Sequence, residues 1–173
     1  GNTSKTGKEI RSNFMKAPFG WSQDAIDCAL ILLKNNQFIL SSEQDLKVAK
    51  INNTTFKKET HVLSTLENLQ IKRLFQAAGI TCPPNQDIFP YSNEFLQKLK
   101  SLADTISGDA PKPEPINTTF IKTIENKVGN ERLLDIFETK DELLNYYNDW
   151  NLKADLVKKR LPSWNLLVEL YNQ

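Results

Sequence analysis

Counting from Ile136 in alternating steps of four and three lands on Lys140, Leu143, Tyr147, Trp150, Ala154, Val157 and Leu161, and every one of these except Lys140 is apolar. An apolar seam with a 3.5-residue repeat is satisfied by a helix that lays the seam against another helix. Thr139-Lys140-Asp141-Glu142 has the residues of a capping box at the start of this helix. Pro162 predicts its end, because proline has no N–H for the preceding turn and its ring clashes with that turn's carbonyl. A helix over 140–160 is about 30 Å long at ~1.5 Å per residue. That is too short for an extended coiled coil, so the expected partner is an antiparallel helix within the same lobe. Trp164, Leu167, Leu170 and Tyr171 then predict a last amphipathic helix that folds back on the seam, a helical hairpin.

The other end of the chain has a different texture. Thr3 to Met15 is weakly amphipathic through Ile10 and Phe14. After the punctuated run Ala17-Pro18-Phe19-Gly20-Trp21, Ser22 is a natural N-cap for a helix over Gln23 to Asn35, with Asp24 near its positive dipole end. The helix carries a wide apolar face of Ala25, Ile26, Ala29, Leu30, Leu32 and Leu33, and its polar positions read as Gln23, Asp24, Asp27 and Lys34. The period then shortens. Gln37 to Leu40 and Lys47 to Ile51 read as β-runs around the polar turn Ser41 to Asp45, with a further extended piece near Thr54 to Phe56. Helix, apolar helix, hairpin is the skeleton of a winged helix-turn-helix, assigned to residues 1–60.

Residues 61–107 return to helical spacing. Ser64-Thr65-Leu66-Glu67 fits a capping box, Leu66 to Ala78 an amphipathic helix, and Gly79 a left-handed residue just past its end. Ser92 is the expected cap of a second helix, through Phe95, Leu96, Leu99, Leu102, Ala103 and Ile106. The alternating prolines of Gly108-Asp109-Ala110-Pro111-Lys112-Pro113-Glu114-Pro115 favour extended backbone. They place a linker at 108–117 and a C-terminal helical lobe at 118–173. There Thr118 to Val128 reads as a short helix ended by Gly129, and Asn130 as the cap of the next. The expected fold class is mainly α with a small β-hairpin: a winged-helix-like lobe followed by a helical bundle.

Composition narrows function by exclusion. The 173 residues carry 22 Lys and Arg against 21 Asp and Glu, so neither a polybasic arm nor an acidic tail is present. No apolar run approaches the roughly 20 residues that span a bilayer. Cys28 and Cys82 form no disulfide framework, and with a single His they leave a zinc site or a Cys–His catalytic pair without ligands; a cytoplasmic setting is expected. The chain opens Gly1-Asn2 with no Met and no apolar signal core, which reads as a piece cut from a longer protein. Thr3 to Lys8 resembles a phosphate loop only superficially. Gly7 lacks a partner glycine at the required spacing, Glu9 stands where the magnesium-binding hydroxyl belongs, and no strand precedes.

Two surfaces remain as candidates. The turn Phe19-Gly20-Trp21 with Asp24 and Asp27 presents a large aromatic in a tight polar loop, a common arrangement at protein-binding hot spots. Against it stands the simpler reading that Trp21 closes a core. Lys47, Lys50, Lys57 and Lys58 form a basic stretch that could graze a nucleic-acid backbone, although the helix before it offers two carboxylates against one cation. No catalytic residue and no metal ligand is assigned.

A colinear set of short motifs sharpens the reading. Ala17-Pro18-Phe19-Gly20-Trp21-Ser22-Gln23-Asp24-Ala25-Ile26-Asp27, Ile71-Lys72-Arg73-Leu74-Phe75-Gln76-Ala77-Ala78-Gly79, Gly108 to Pro113, Gly129-Asn130-Glu131-Arg132-Leu133 and Arg160-Leu161-Pro162-Ser163-Trp164 occur in that order. Together they resemble blocks of the large P-loop protein of bacteriophage-exclusion (BREX) systems, the BrxC/PglY family. Departures are Ser107-Gly108 where the family has paired glycines, and a shorter wing tip. The resemblance implies a segment outside the ATPase core of a protein of phage defence, with ATP and magnesium bound elsewhere in the parent. It implies no cofactor here, and docking onto the parent ATPase, another copy or another BREX protein.

Overall fold

The computed structural model describes residues 3–84, 86–108, 112–113 and 115–172. Part of the proline-rich linker, and the Gly1-Asn2 start, lie outside the described residues. The fold is mainly helical with one small antiparallel sheet. Its elements run β1 (Lys5–Thr6), α1 (Gly7–Phe14), α2 (Gln23–Asn35), β2 (Ile39–Ser41), a 3₁₀ turn (Val48–Asn53), β3 (Thr55–Lys58), α3 (Thr65–Ala77), α4 (Phe89–Ile106), α5 (Thr119–Glu125), α6 (Gly129–Glu138) and α7 (Lys140–Tyr171).

Local chemistry sets the first helices. Thr6 and Glu9 form a reciprocal capping box at α1: the Thr6 hydroxyl accepts from the Glu9 amide, and the Glu9 carboxylate accepts from the Thr6 amide at 2.7 Å. Ser22 caps α2 by accepting from the Ala25 amide. Ser64 and Glu67 repeat the capping box at α3, and Gly79 follows that helix in the left-handed region at φ +75°. Between α2 and α3, β3 is the centre of the sheet, with β1 on one side and β2 on the other. The expected hairpin partner, Lys47 to Ile51, is instead mostly a 3₁₀ turn that drops Ile51 into the core. The strand opposite β2 is Thr55–Lys58, in the register Ile39–Lys58, Leu40–Lys57 and Ser41–Phe56. Ile26, Leu30, Ile51 and Phe56 make the small core of this lobe.

A second, larger core joins Leu63, Ile71, Phe75, Phe95, Leu99, Ile121, Leu133, Ile136, Leu143, Trp150 and their neighbours. It draws on α3 and α4 as well as α5, α6 and α7. Helices on both sides of the proline-rich segment therefore share one interior, and the described residues do not divide there into two separate cores. The seam of α7 finds its partner in α4, across the linker, in the most extensive helix–helix contact of the molecule.

The C-terminal hairpin is corrected too. Helix α7 runs through Pro162 to Tyr171 without turning back. Its last 17 residues, 155–171, contain none that is buried. Three predicted caps also differ. Helix α4 begins at Phe89, whose amide is held by the Asp87 carboxylate at 2.9 Å, while Ser92 is buried and donates to the Phe89 carbonyl. Thr139 donates to the Asp135 carbonyl, so α6 passes into α7 through one residue with no side-chain cap. Gly129 is the first residue of α6, not the end of α5, and Asn130 lies inside the helix.

Candidate functional site

The aromatic turn between α1 and α2 is held by three backbone bonds: the Phe19 and Gly20 amides donate to the Lys16 carbonyl, and the Trp21 amide donates to the Phe14 carbonyl, each at 3.0 Å. The Phe14 ring lies between its neighbours, with centroid distances of 5.0 Å to Phe19 and 5.7 Å to Trp21. Phe19 is 55% exposed and Trp21 49% exposed, so these two stand on the surface, while Phe14 beneath them is half-buried and packs against the small core.

Asp24 is exposed, as expected, at the positive end of α2. Asp27 is not. It is 2% exposed and grips Arg11 of α1 in a two-pronged ion pair, Nε to Oδ1 at 2.7 Å and Nη2 to Oδ2 at 2.6 Å. The remaining arm of Arg11 donates to the Asn52 side chain at 2.7 Å. Asp27 thus fastens α1 and the 3₁₀ turn to α2, and it is withdrawn from the surface set. Lys34 is buried as well, donating to the Gln44 carbonyl at 2.7 Å and to Asp87 at 3.3 Å. A signal was present: Asp27 and Lys34 fall at helical spacing with Leu30, on the buried side.

With those charges turned inward, the outward face of α2 is apolar. Ala25, Cys28 and Leu32 sit at helical spacing in line with Trp21, all exposed, and Leu32 is 60% exposed.

The basic stretch is partly neutralised. Lys47 pairs with Asp45 at 2.9 Å and Lys50 with Glu43 at 2.7 Å. The Lys47 ammonium holds the Asp45 carboxyl below its ordinary range, and Glu43 holds the Lys50 ammonium above its own. Lys57 and Lys58 are exposed, but as successive strand residues they point to opposite faces of the sheet. The four lysines do not form one cationic surface.

A third cluster joins the two cores; the sequence singled out Gly129 and Asn130 only as helix-end residues and part of a motif block, and Glu59 not at all. Glu59, directly after β3, is buried and accepts from the Asn130 amide at 3.1 Å, in the first turn of α6. A carboxylate there meets unsatisfied amides and the positive dipole end, so Glu59 caps a helix 71 positions away. The Asn130 side chain donates to the carbonyls of Gln37 at 2.8 Å and His61 at 2.5 Å. Gly129 sits at φ +59°, and a Cβ there would lie 2.2 Å from Glu59 Oε1 and 2.4 Å from Leu40 Cδ2, so any side chain would have to displace both tips in addition to straining the backbone. Burial pushes the Glu59 carboxyl above its ordinary range, partly offset by the Asn130 amide. A cavity of about 270 Å³ opens beside this junction, lined in part by Lys34, Glu59 and Asp87. Each of these groups is engaged: Lys34 with Gln44 and Asp87, Glu59 with the α6 terminus.

Deeper in the helical body Arg132 plays a similar joining role. It donates to the Lys127 carbonyl at 2.8 Å and the Glu125 carbonyl at 2.6 Å, reaches the Asn93 side chain, and lies 4.6 Å over the Phe89 ring. Among the described residues no three His, Cys, Asp or Glu side chains converge as metal ligands would, and no helix is long and apolar enough to cross a membrane. Compared with family models, curated proteins and solved structures, the chain matches none.

Proposed function

We propose that this chain is a non-catalytic protein-interaction segment of a large phage-defence P-loop ATPase of the BREX kind, acting in the cytoplasm. On this reading the parent binds ATP and magnesium elsewhere, and the partner is the rest of that ATPase or another BREX protein. The observation that carries the reading is the outward face of α2, where Trp21, Ala25, Cys28 and Leu32 are exposed and apolar. On a winged helix-turn-helix reading, which the order β1–β3–β2 with two helices before the hairpin supports, α2 would be the counterpart of the recognition helix. A groove-reading helix shows Arg, Lys, Asn or Gln there. An apolar stripe flanked by Asp24 favours a protein surface instead. The motif blocks that suggest the family fall at places of different kinds: Phe19 and Trp21 on the surface, Ile71, Leu74 and Phe75 in the core, and Gly129 and Asn130 at the junction.

The test is affinity capture of the ATPase portion and the neighbouring operon products by the full chain, compared with Leu32→Asp. That substitution sits at a position 60% exposed, so the fold should be retained, which circular dichroism checks. The expected result is loss of about tenfold or more in affinity, the effect of a central hot-spot residue. Unchanged binding by the folded variant would overturn the assignment of this face. Titration of DNA into the same chain at two salt concentrations addresses the basic stretch: tight binding that weakens steeply with salt would place the function in nucleic-acid contact instead.

A further inference from the structure

The seam of α7 is covered by α4 as far as Ala154, which is 1% exposed, and α4 ends at Ile106. Beyond that point the seam continues. Val157, Leu161, Trp164 and Val168 keep the alternating three- and four-residue spacing, with Leu156 and Leu167 beside them, and none of these six is buried. Together with Ile106 and Pro113, most of them border a groove of about 530 Å³ alongside the helix. A helix whose last 17 residues include none that is buried, and which carries Pro162 in its interior, is poorly supported by its own backbone in water. The slot that α4 fills along the first half of α7 therefore runs on, open, along the second half.

Its rim is charged with one sign. Lys153 and Arg160 stand one heptad apart on the same flank, and Lys112 faces them across the groove; among the described lining residues there is no carboxylate. Lys153 is shared with Asp149 at 2.7 Å, while Arg160 makes no ion pair among the described residues. Flanking charges on a helix seam select the partner by complementarity. We infer that this groove is a second docking site, which takes an amphipathic helix of a partner protein with an apolar stripe at three- and four-residue spacing and Asp or Glu along its edges. The spacing of the floor selects a helix over an extended peptide, and the cations of the rim select an acidic one. This site is independent of the α2 face: it lies on the other core and uses none of the same residues.

The experiment uses the full chain and two labelled synthetic helices of about 20 residues, long enough to hold helix on the seam. One has Leu at the seam positions and Glu on both flanks; its twin has Lys in place of every Glu. Fluorescence anisotropy is expected to show the acidic helix bound at least tenfold more tightly than the twin. Its binding should shift Trp164 emission to the blue, a shift absent in Trp164→Phe. Lys153→Glu combined with Arg160→Glu, both at exposed positions, should reverse the preference. Leu161→Asp should abolish binding of either helix, whereas Leu32→Asp on α2 should leave it unchanged. Equal affinity for the two helices, no binding of either, or a preference that survives the double charge reversal would overturn the proposal. So would sedimentation of the chain alone as a dimer that buries Trp164, since the groove would then belong to a second copy.

Discussion

Replacing Asp27 separates a structural residue from a partner-binding one by a wide margin in energy. The carboxylate is 2% exposed and receives two charge-assisted bonds of 2.6 and 2.7 Å from an Arg11 that is itself 7% exposed. Asp27→Ala removes both acceptors and strands a guanidinium in a site with only the Asn52 side chain, and weakly the Val48 carbonyl, left to receive it. Breaking a buried pair from one side costs about 3–5 kcal/mol, because the orphaned charge keeps its desolvation penalty. Against a total stability of roughly 5–15 kcal/mol that is a large share. For a chain of this length it corresponds to a fall in Tm of roughly 6–20 °C, at about 2–4 °C per kcal/mol. Asp24→Ala, three residues away and exposed, should stay within about 0.5 kcal/mol of the parent. Substituting both partners apolar, Arg11→Met with Asp27→Leu, should recover most of the loss, since neither charge then needs solvation. Urea unfolding followed by circular dichroism gives all four values. An Asp27→Ala chain as stable as the parent would refute the buried-pair argument and return Asp27 to the interaction surface.

Two further outcomes concern the junction between the cores. Gly129→Ala must accept a left-handed backbone and a Cβ within 2.4 Å of both Glu59 Oε1 and Leu40 Cδ2, so it should destabilise by about 2–4 kcal/mol in denaturant titration; a loss below ~1 kcal/mol would show that the approach is looser than the structure has it. Glu59 supplies a pH dependence of known sign. Its carboxyl is raised in the folded state, so the fold binds an extra proton in the window just above the ordinary carboxylate range, and stability attributable to this group falls as pH rises through that window. Relative to Glu59→Gln, which keeps an acceptor for the Asn130 amide without the charge, the parent should be comparatively more stable at acidic pH and lose ground towards neutrality; a difference that is flat, or that grows the other way, would contradict it.

What could be read from the sequence follows from how local the determining physics is. Helices α2 and α3 were legible because a capping hydroxyl and its amide lie within three residues, as at Ser22 and Ser64. Asp27 was misread because its partner Arg11 is 16 positions away on another helix. Lys47 to Ile51 carries β-prone side chains, but a single burial, Ile51 in the small core, turned it into a 3₁₀ turn and passed the strand on to Thr55–Lys58. Phe19 and Trp21 were legible as residues of a turn, since Pro18 and Gly20 punctuate the backbone there, but their exposure was not, because closing a core stood as the simpler reading of Trp21. The apolar outward face of α2 was hidden, because it emerges only once Asp27 and Lys34 are known to turn inward. The Glu59–Asn130 contact had no short-range signal: Glu59 looks like an ordinary solvated position, and Asn130 like the cap of its own helix, until the sheet and α6 are brought together.

The same distinction explains why the proline-rich segment misled, and why the seam told that a helical partner was needed but not which one. Prolines report on backbone over a few residues: they forbid a helix, and an interruption of helix is easily taken for an interruption of fold. Whether the helices on either side pack together depends on apolar surface that neither side can cover alone. Helix α7 presents Leu143, Trp150 and Ala154 along one line, and α4 presents Phe95, Leu99, Ala103 and Ile106 along another. Burying a side chain of that size is worth about 1.5–3 kcal/mol, so leaving both lines to water would forfeit far more than the slowly growing entropy of closing a ten-residue connection costs. The seam therefore demanded a partner, and α4 was the helix with a matching face. By the same reasoning the uncovered stretch beyond Ala154 is a demand not met among the described residues: Leu161 and Trp164 repeat the pattern that α4 answers earlier, at a point where α4 has ended.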